Sequence, residues 1–463
     1  MGGDMTLAGT VAESPRATDI LGHPRGLAYL CFAEAWERFS YYGMQALLVL
    51  YMGQQLLLPG HVEHVAGFGG FRAAIEHVYG PLSPVALASA IFGLYAGGVY
   101  LTPIAGGFLA DRVLGRTWTV TLGAGLMALG HFLMAFEVSF LAALACLLVG
   151  VGCFKGNIAS QVGELYAPGD LRRADAFQLY FLGIQVAVIV APLVCGTLGQ
   201  KVAWHWGFEA AGVGMLLGLA VYLSGRRWLP PDMGRTRATR KARPKLARSE
   251  IKAVAVLVAL LPALAVSALG NQEIFNAYLV WGDANYDLML FGQSMPVTWL
   301  ISIDAFISAG ALMLSVAFWR LWATRRKEPD EITKLAIGSL ISATAPLALA
   351  LASAHEAAGG GKVGLAWALA FHILNDIGFV NVFPVGLALF SRASPRAVGG
   401  VMIGVYYLHL FLANMTVGWL GGLLDRMPAT SFWLLHAGLV GGAGIVVLLF
   451  GALFGRILAP LAE

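Results

Sequence analysis

The stretch EAWERFSYYGM, residues 34–44, sets Glu34, Glu37, Arg38 and Tyr41 at relative positions i, i+3, i+4 and i+7. On a helix these fall on one face. Two acids, a guanidinium and a phenol on one stripe can act as an ion-paired staple between helices, or form a path for an ion or substrate. The flanks set the environment. GLAYLCFA lies upstream and QALLVLYM downstream, so the charges sit inside one apolar run from about residue 25 to 58. Lys155, Glu273, Asp304 and Asp376 lie inside other apolar runs. A charge at the centre of a spanning helix costs roughly 2.5–3.5 kcal/mol, so such groups must pair or line a wet cavity. The cations Arg38 and Lys155 belong to the first half of the chain; Glu273, Asp304 and Asp376 belong to the second. A cavity between the halves would be positive on one wall and negative on the other. That field suits a zwitterion, its carboxylate toward Lys155 and Arg38 and its ammonium toward the acids. Buried carboxylates also serve as proton carriers. The residues alone favour a proton-coupled carrier of a small charged solute.

The elements that must position these groups are membrane helices. Of 463 residues, 58% are apolar and 12% charged, against roughly 25% charged in a soluble protein. Twelve spans are expected, over 25–58, 82–110, 117–136, 139–164, 173–200, 206–229, 251–281, 296–323, 332–355, 363–391, 397–424 and 431–460. Residues 1–24 are polar, carry Pro15 and Pro24, and read as a cytoplasmic segment rather than a signal peptide. Residues 25–229 then form an N-terminal six-helix bundle and 251–463 a C-terminal one. The basic, proline-bearing stretch 230–250 joins them as a cytoplasmic linker, not a nucleic-acid site. With both termini inside, only Arg72, Lys201, Lys362 and Arg426 lie outside. Arg112, Arg116, Arg172, Arg173, the linker, Arg325, Arg326, Lys327, Arg392 and Arg396 lie inside. A missed or invented span would spoil that asymmetry. Cys31, Cys146, Cys153 and Cys195 all fall in apolar runs, without metal or disulfide spacing.

Several motifs carry a family resemblance. EAWERFSYYG resembles the E-x-x-E-R-F-x-Y-Y-G signature on the first helix of the proton-dependent oligopeptide transporters, a branch of the major facilitator superfamily. YLTPIAGGFLADRVLGRT, 100–117, contains the superfamily's G-x-L-A-D-R-x-x-G-R turn. GVGCFKGNIAS, 150–160, is similar to the fourth-helix lysine motif, and LYAPGDLRRADAFQLYFLGIQ, 165–185, to the loop and fifth helix. MPVTW, FPVGLALFSRASP and VMIGVYYLHLFLAN extend the likeness through the second half. The resemblance implies a bacterial member with the major facilitator fold, all-α, twelve helices in two six-helix bundles. It would lie in the inner (cytoplasmic) membrane and import di- and tripeptides with protons by alternating access. Protons would be the coupling ion, with no cofactor or metal, and the protein would act as a monomer. By match of motif, Glu34, Glu37 and Arg38 correspond to the proton and carboxylate-binding group and Lys155 to the essential lysine. Tyr41, Tyr42, Tyr95 and Gln185 stand where the peptide pocket is lined; Gln185 replaces a usual asparagine.

This chain departs from the family pattern at three places. Gln45 stands where an arginine often follows the first-helix motif. In NQEIFNAYLVWGD, 271–283, Gln272 takes the place of a proton-titrating glutamate, and Glu273 is rotated by about 100°. We expect Glu273 to carry a coupling proton, with a static ion pair as the competing reading. Phe379 occupies the tenth-helix position of a glutamate that receives the peptide amino terminus; Asp376 or Asp304 could replace it.

Asp111, Arg112 and Arg116 form either a conformational latch or simple topology-setting charge. HVEH, 61–64, has metal-like spacing but no third ligand nearby in sequence, in a glycine-rich external loop. His131, His372, His409 and His436 read as packing residues, with His372 one turn before Asp376. Pro103, Pro192, Pro262, Pro346 and Pro384 should kink their helices. No phosphate loop, nucleophile constellation or redox motif occurs, so the chain does not read as an enzyme or a primary pump. Two rivals remain beside the peptide symporter. One is a same-fold carrier of an amino acid, amine or nitrate, motivated by Phe379; the other is a transport-incompetent sensor.

Overall fold

The computed structural model describes residues 19–458 except 21, 168–169, 233–245, 291 and 396. Expectations for residues 1–18 and for most of the basic linker lie outside the described residues. Ten helical segments are long and apolar enough to cross a membrane, among the described residues. Two further helices complete the twelve expected spans. One is α1, Arg25–Tyr51, which carries Arg25, Glu34, Glu37 and Arg38; the other is α4, Arg116–Leu133, which carries Arg116 and His131. Between them in sequence, the glycine-rich loop holds α2, Phe68–Tyr79, a short helix absent from the sequence reading, and then α3, Pro84–Leu109. α3 starts where it does because Ser83 accepts a hydrogen bond from Ala86 N and Pro84 needs no backbone donor.

The first half continues with α5 (Phe140–Glu164), α6 (Arg172–Ala191), α7 (Thr197–Lys201) and α8 (Trp204–Ser224). The second half begins with α9 (Arg248–Ser267), α10 (Leu269–Glu273) and α11 (Ala277–Asn285), three pieces of the expected seventh span. α12 (Trp299–Ala323) follows, then α13 (Glu331–Ser342) with α14 (Thr344–His355), and α15 (Leu365–Phe379) with α16 (Phe383–Ala393). α17 (Gly399–Leu420) and α18 (Ala429–Leu458) close the chain. Two-residue strands pair antiparallel at 19–24 and 289–294.

Proline explains several of the breaks. It lacks an N–H and crowds the carbonyl four residues back. α13 gives way to α14 at Ala343, just after the residue four before Pro346. α15 gives way to α16 at 380–382, just before Pro384. α6 ends at Ala191, and Pro192 opens a π-helical turn, 192–196. Pro103 and Pro262 stay inside α3 and α9 without a break.

The halves meet through α3 against α17, α6 against α12, and α1 against α11. Gly93 and Gly418 let α3 and α17 touch: a Cβ on Gly93 would stand 2.6 Å from the Gly418 Cα. Between described residues, the hydrogen bonds joining the halves lie at the face opposite the chain ends. Gln54 Nε2 donates to Asp283 at 2.8 Å, Thr298 Oγ1 to Gln200 at 2.9 Å, Trp299 Nε1 to Thr197 at 2.9 Å, and Arg426 to the Pro81 carbonyl at 2.9 Å. One apolar core runs through that face from both halves. A second lies within α9, α13, α16, α17 and α18 near the other face. The molecule is therefore closed at the face far from its ends.

Candidate functional site

α1 runs unbroken through its 27 residues, so the i, i+3, i+4 spacing holds and Glu34, Glu37 and Arg38 share a face. That face is sealed in the bundle, with exposures of 2%, 0% and 4%. Arg38 Nε donates to Glu34 Oε1 at 2.9 Å and stands 2.8 Å from Glu37 Oε2. Its guanidinium also lies 5.7 Å from the Tyr41 ring centroid. One cation thus serves two carboxylates. Glu34 Oε2 and both Glu37 oxygens have no hydrogen-bond donor among the described residues. The cluster has free acceptor capacity for a proton or a donor.

Lys155, on α5, is partly exposed, and its Nζ stands 4.9 Å from the centroid of Tyr100 on α3. Arg38, Glu37 and Glu34 are the charges that act on it. Tyr41 and Tyr95 are buried, and the Tyr95 hydroxyl has no partner among the described residues. Tyr42 is partly exposed and reaches Phe275 of the other half, ring centroids 6.1 Å apart. Gln185 is exposed on α6. The structure adds two residues that the sequence reading left out. Tyr180 comes near Glu34, and Tyr100, beside Lys155, packs on the same small apolar cluster of the facing half as Phe379, Phe383 and Tyr407. Both are polar-tipped residues in apolar spans, a signal that could have found them.

The second half presents a different wall. Gln272 is partly exposed, and Asn414 Nδ2 donates to its Oε1 at 2.9 Å. Phe379 stacks on Phe383, centroids 5.8 Å apart, so this position of the wall is aromatic where a carboxylate is usual in the family. Glu273 turns inward. It has no exposed surface, accepts from Ala277 N at 3.3 Å, and stands 3.8 Å from Nε2 of His436 on α18. The break at 274–276 between α10 and α11 fixes this azimuth, with Asn276 donating across to the Val417 carbonyl at 3.2 Å. Glu273 is thus separated from the cavity wall that holds the Arg38 cluster.

Asp304 and Asp376 come together from α12 and α15. Asp304 retains a 12% exposed side chain and accepts from His372 Nδ1 at 2.7 Å; Asp376 has no exposed surface. Of the two, only Asp304 is in reach of a solute. Asp111, Arg112 and Arg116 lie at the turn after α3. Arg116 pairs with Glu164 and stands 3.9 Å from Asp111, while Arg112 covers the Phe108 ring at 4.9 Å. All these partners belong to the first half. His61 and His64 do gain a common acid through the fold: Glu137 lies 2.6 and 3.7 Å from their Nδ1 atoms. No set of three His, Cys, Asp or Glu side chains suited to a metal occurs among the described residues.

The arrangement can bind a carboxylate at Lys155 and Arg38, exchange a proton at Glu34 and Glu37, and stack apolar side chains on Tyr42, Phe275 and Phe379. Comparisons with known proteins show a likeness to peptide transporters. A family model described as "POT family" matches residues 117–246. A di-/tripeptide transporter of Lactococcus lactis subsp. cremoris is 31% identical, over 84% of this chain and 87% of that protein. The peptide transporter YePEPT of Yersinia enterocolitica is 29% identical, over 95% of this chain and 96% of its own length. A crystal structure of a peptide transporter POT in complex with sulfate superposes with a TM-score of 0.80 at 25% identity, covering 96% of this chain and 97% of the other.

Proposed function

The chain belongs to the POT family, and from that premise we propose that it is a proton-coupled symporter importing di- and tripeptides by alternating access. The observation that carries this reading is the Glu34–Arg38–Glu37 cluster beside Lys155, buried on the inner wall of one half and opposed by Phe275 and Phe379 of the other. A peptide carboxylate binds at Lys155 and at Arg38, which exchanges it for the acids of α1. Its side chains lie among Tyr42, Tyr100, Phe275 and Phe379, with Tyr41, Tyr95 and Gln185 completing the pocket. Asp304 receives the amino terminus, backed by Asp376. Glu34 and Glu37 carry the coupling proton, released when the substrate carboxylate draws Arg38 away. Glu273 stands outside this set, and the static-pair reading suits it better because His436, not the cavity, faces it.

Sidedness follows from charge. The face carrying the chain ends holds Arg112, Arg116, Arg172, Arg173, Arg325, Arg326 and Lys327, so it is cytoplasmic, and the closed face is external. The units are 25–229 and 251–463, joined by 230–250, working as a monomer in the cytoplasmic membrane. Asp111, Arg112 and Arg116 form a latch within the first half that rearranges as the halves rock. The Phe379 patch keeps the non-peptide carrier as the second reading, because it removes one fixed anion from the cavity.

Counterflow decides. Vesicles loaded with unlabelled dialanine should draw in labelled dialanine, and an excess outside should block it. Absence of dialanine counterflow in protein that exchanges an amino acid or amine would overturn the peptide reading; absence of any exchange would favour a sensor.

A further inference from the structure

In the second half a line of hydrogen bonds reaches Asp304 through Tyr286, Tyr278 and His372, three residues that the peptide site leaves unused. It begins at a cavity of about 360 Å³ on the closed face, whose lining includes Asp283, Asp287, Lys201, Lys362 and Tyr286. The Tyr286 hydroxyl donates to the Tyr278 hydroxyl at 3.5 Å. Tyr278 lies 2.9 Å from His372 Nε2, and His372 Nδ1 lies 2.7 Å from Asp304 Oδ1. Asp304 in turn adjoins Asp376. Tyr286, Tyr278, His372 and Asp376 all have 0% exposure, so water does not short-circuit the line. The links come from three elements: α11 with the residue after it, α15, and α12. Sequence separations of 94 and 68 residues hid them from any local reading.

Hydrogen-bond direction is consistent along the line. Tyr278 accepts from Tyr286 and so gives its own proton to His372 Nε2. That leaves His372 protonated on Nδ1, donating to Asp304. Every donor stands on the outer side of its acceptor. At the inner end, both oxygens of Asp376 lack a donor among the described residues, and Asn375 Nδ2 beside them makes no hydrogen bond of good geometry. With no Lys or Arg beside them among the described residues, two adjacent carboxyl groups resist being ionised together, so the pair can take up a proton. Of the other acids and histidines buried in this half, Glu273 and His436 face each other elsewhere, and His409 turns its Nδ1 to the Tyr406 carbonyl. The neighbouring helix α13 offers only Ser342, which donates to Asn375 Oδ1 at 3.0 Å. Phe371 of α15 stacks on Tyr278 at 4.7 Å and closes the side.

We infer that Tyr286, Tyr278 and His372 form a proton relay from the external cavity to a second coupling site, the Asp304–Asp376 pair. The inference rests on the symport reading and its sidedness. Each step balances. Tyr286 passes its hydroxyl proton to Tyr278 and regains one from the external cavity. Tyr278 passes its own proton to His372 Nε2. His372 releases its Nδ1 proton to Asp304. No relay atom keeps a charge, His372 ends as the other tautomer accepting from Asp304, and the acid pair gains one proton. Since of the two acids only Asp304 keeps exposed surface, the proton leaves from it when a substrate ammonium draws near and favours the ionised acid. External protons thus reach the second half while the external face is shut to solutes. Gln272, standing where a titrating glutamate is usual, needs no proton of its own.

The test uses outside-out proteoliposomes and the infrared band of a buried carboxylic acid, identified by its loss in Asp376→Asn. An acid jump applied only outside should raise this band. Tyr278→Phe and Tyr286→Phe keep the rings and their packing but remove the hydroxyls, so each should slow the rise about ten-fold. A jump applied inside should act at the wild-type rate in both. His372→Gln serves as a third break if either phenyl variant fails to fold. In the same vesicles, the ratio of gradient-driven dialanine accumulation to counterflow should fall about ten-fold in the three variants. Wild-type kinetics after the outside jump in the folded variants, or no Asp376 band in the wild type, overturns the relay. Loss of dialanine counterflow in the wild type with the infrared results intact would instead remove the peptide reading and leave the relay standing.

Discussion

The two halves bury charge in opposite ways. In the α1 cluster each ion has a partner: Arg38 stands within 2.9 Å of Glu34 and 2.8 Å of Glu37, with Lys155 and Tyr180 close by. In the second half the three acids buried in the spans, Glu273, Asp304 and Asp376, have no Lys or Arg partner among the described residues. Glu273 has a histidine, Asp304 has a histidine and a second acid, and Asp376 has no donor. The first arrangement is held by Coulomb attraction and fails when a cation is removed. The second is built from hydrogen bonds between acids, a histidine and tyrosines, and should tolerate neutral replacements. A carrier needs both, since a charged wall selects the solute and a proton-sharing wall is free to change its charge.

The sharpest way to break this contrast is Arg38→Ala. Removing one partner of a buried ion pair costs about 3–5 kcal/mol. The unfolding midpoint in detergent should fall steeply and uptake should vanish. Asp376→Asn, which removes an acid rather than a cation, should leave the midpoint near wild type. Equal midpoints for the two variants would erase the distinction between the halves.

Lys155→Ala should come next and act on transport alone. Lys155 is partly exposed on the Tyr100 ring, so its loss leaves folding near normal. The substrate loses a charged contact of about 3 kcal/mol, roughly 100-fold in uptake. Near-normal gradient-driven uptake would take Lys155 out of the mechanism. Arg38→Lys sharpens the comparison further. A single ammonium cannot span Glu34, Glu37 and a substrate carboxylate as the planar fork does. Uptake should drop about ten-fold with little loss of stability. Full activity would mean that charge alone matters there.

The smallest effect belongs to Glu273→Gln. The amide oxygen can keep the bond from Ala277 N, and the amide nitrogen can donate to His436 Nε2. His436 Nδ1 is already engaged with the Phe432 carbonyl at 2.9 Å. Stability should change by less than about 1 kcal/mol, and both accumulation and exchange should survive. Loss of accumulation with exchange retained would return Glu273 to the coupling path.

Much of this molecule was legible in local sequence. A hydrophobic run of about 20 residues is the length of a membrane crossing, so the twelve spans of the reading overlie the helices that form. The charge cluster was equally legible, because Glu34, Glu37 and Arg38 share one unbroken helix whose periodicity fixes which residues stack. The breaks near Pro346 and Pro384 follow from the missing backbone donor. The break at 274–276 has no proline, and so no comparable signal.

What only the tertiary structure decided is azimuth and partnership. Whether Glu273 looked into the cavity or into its own half depended on the α10–α11 break and on α18 bringing His436 against it. His372 read as a packing residue until α12 set Asp304 against one ring nitrogen and α11 set Tyr278 against the other. The physical reason is range. Hydrophobic length and helical spacing are properties of neighbouring residues. A hydrogen-bonded line through three helices exists only once packing has fixed how each helix is rotated.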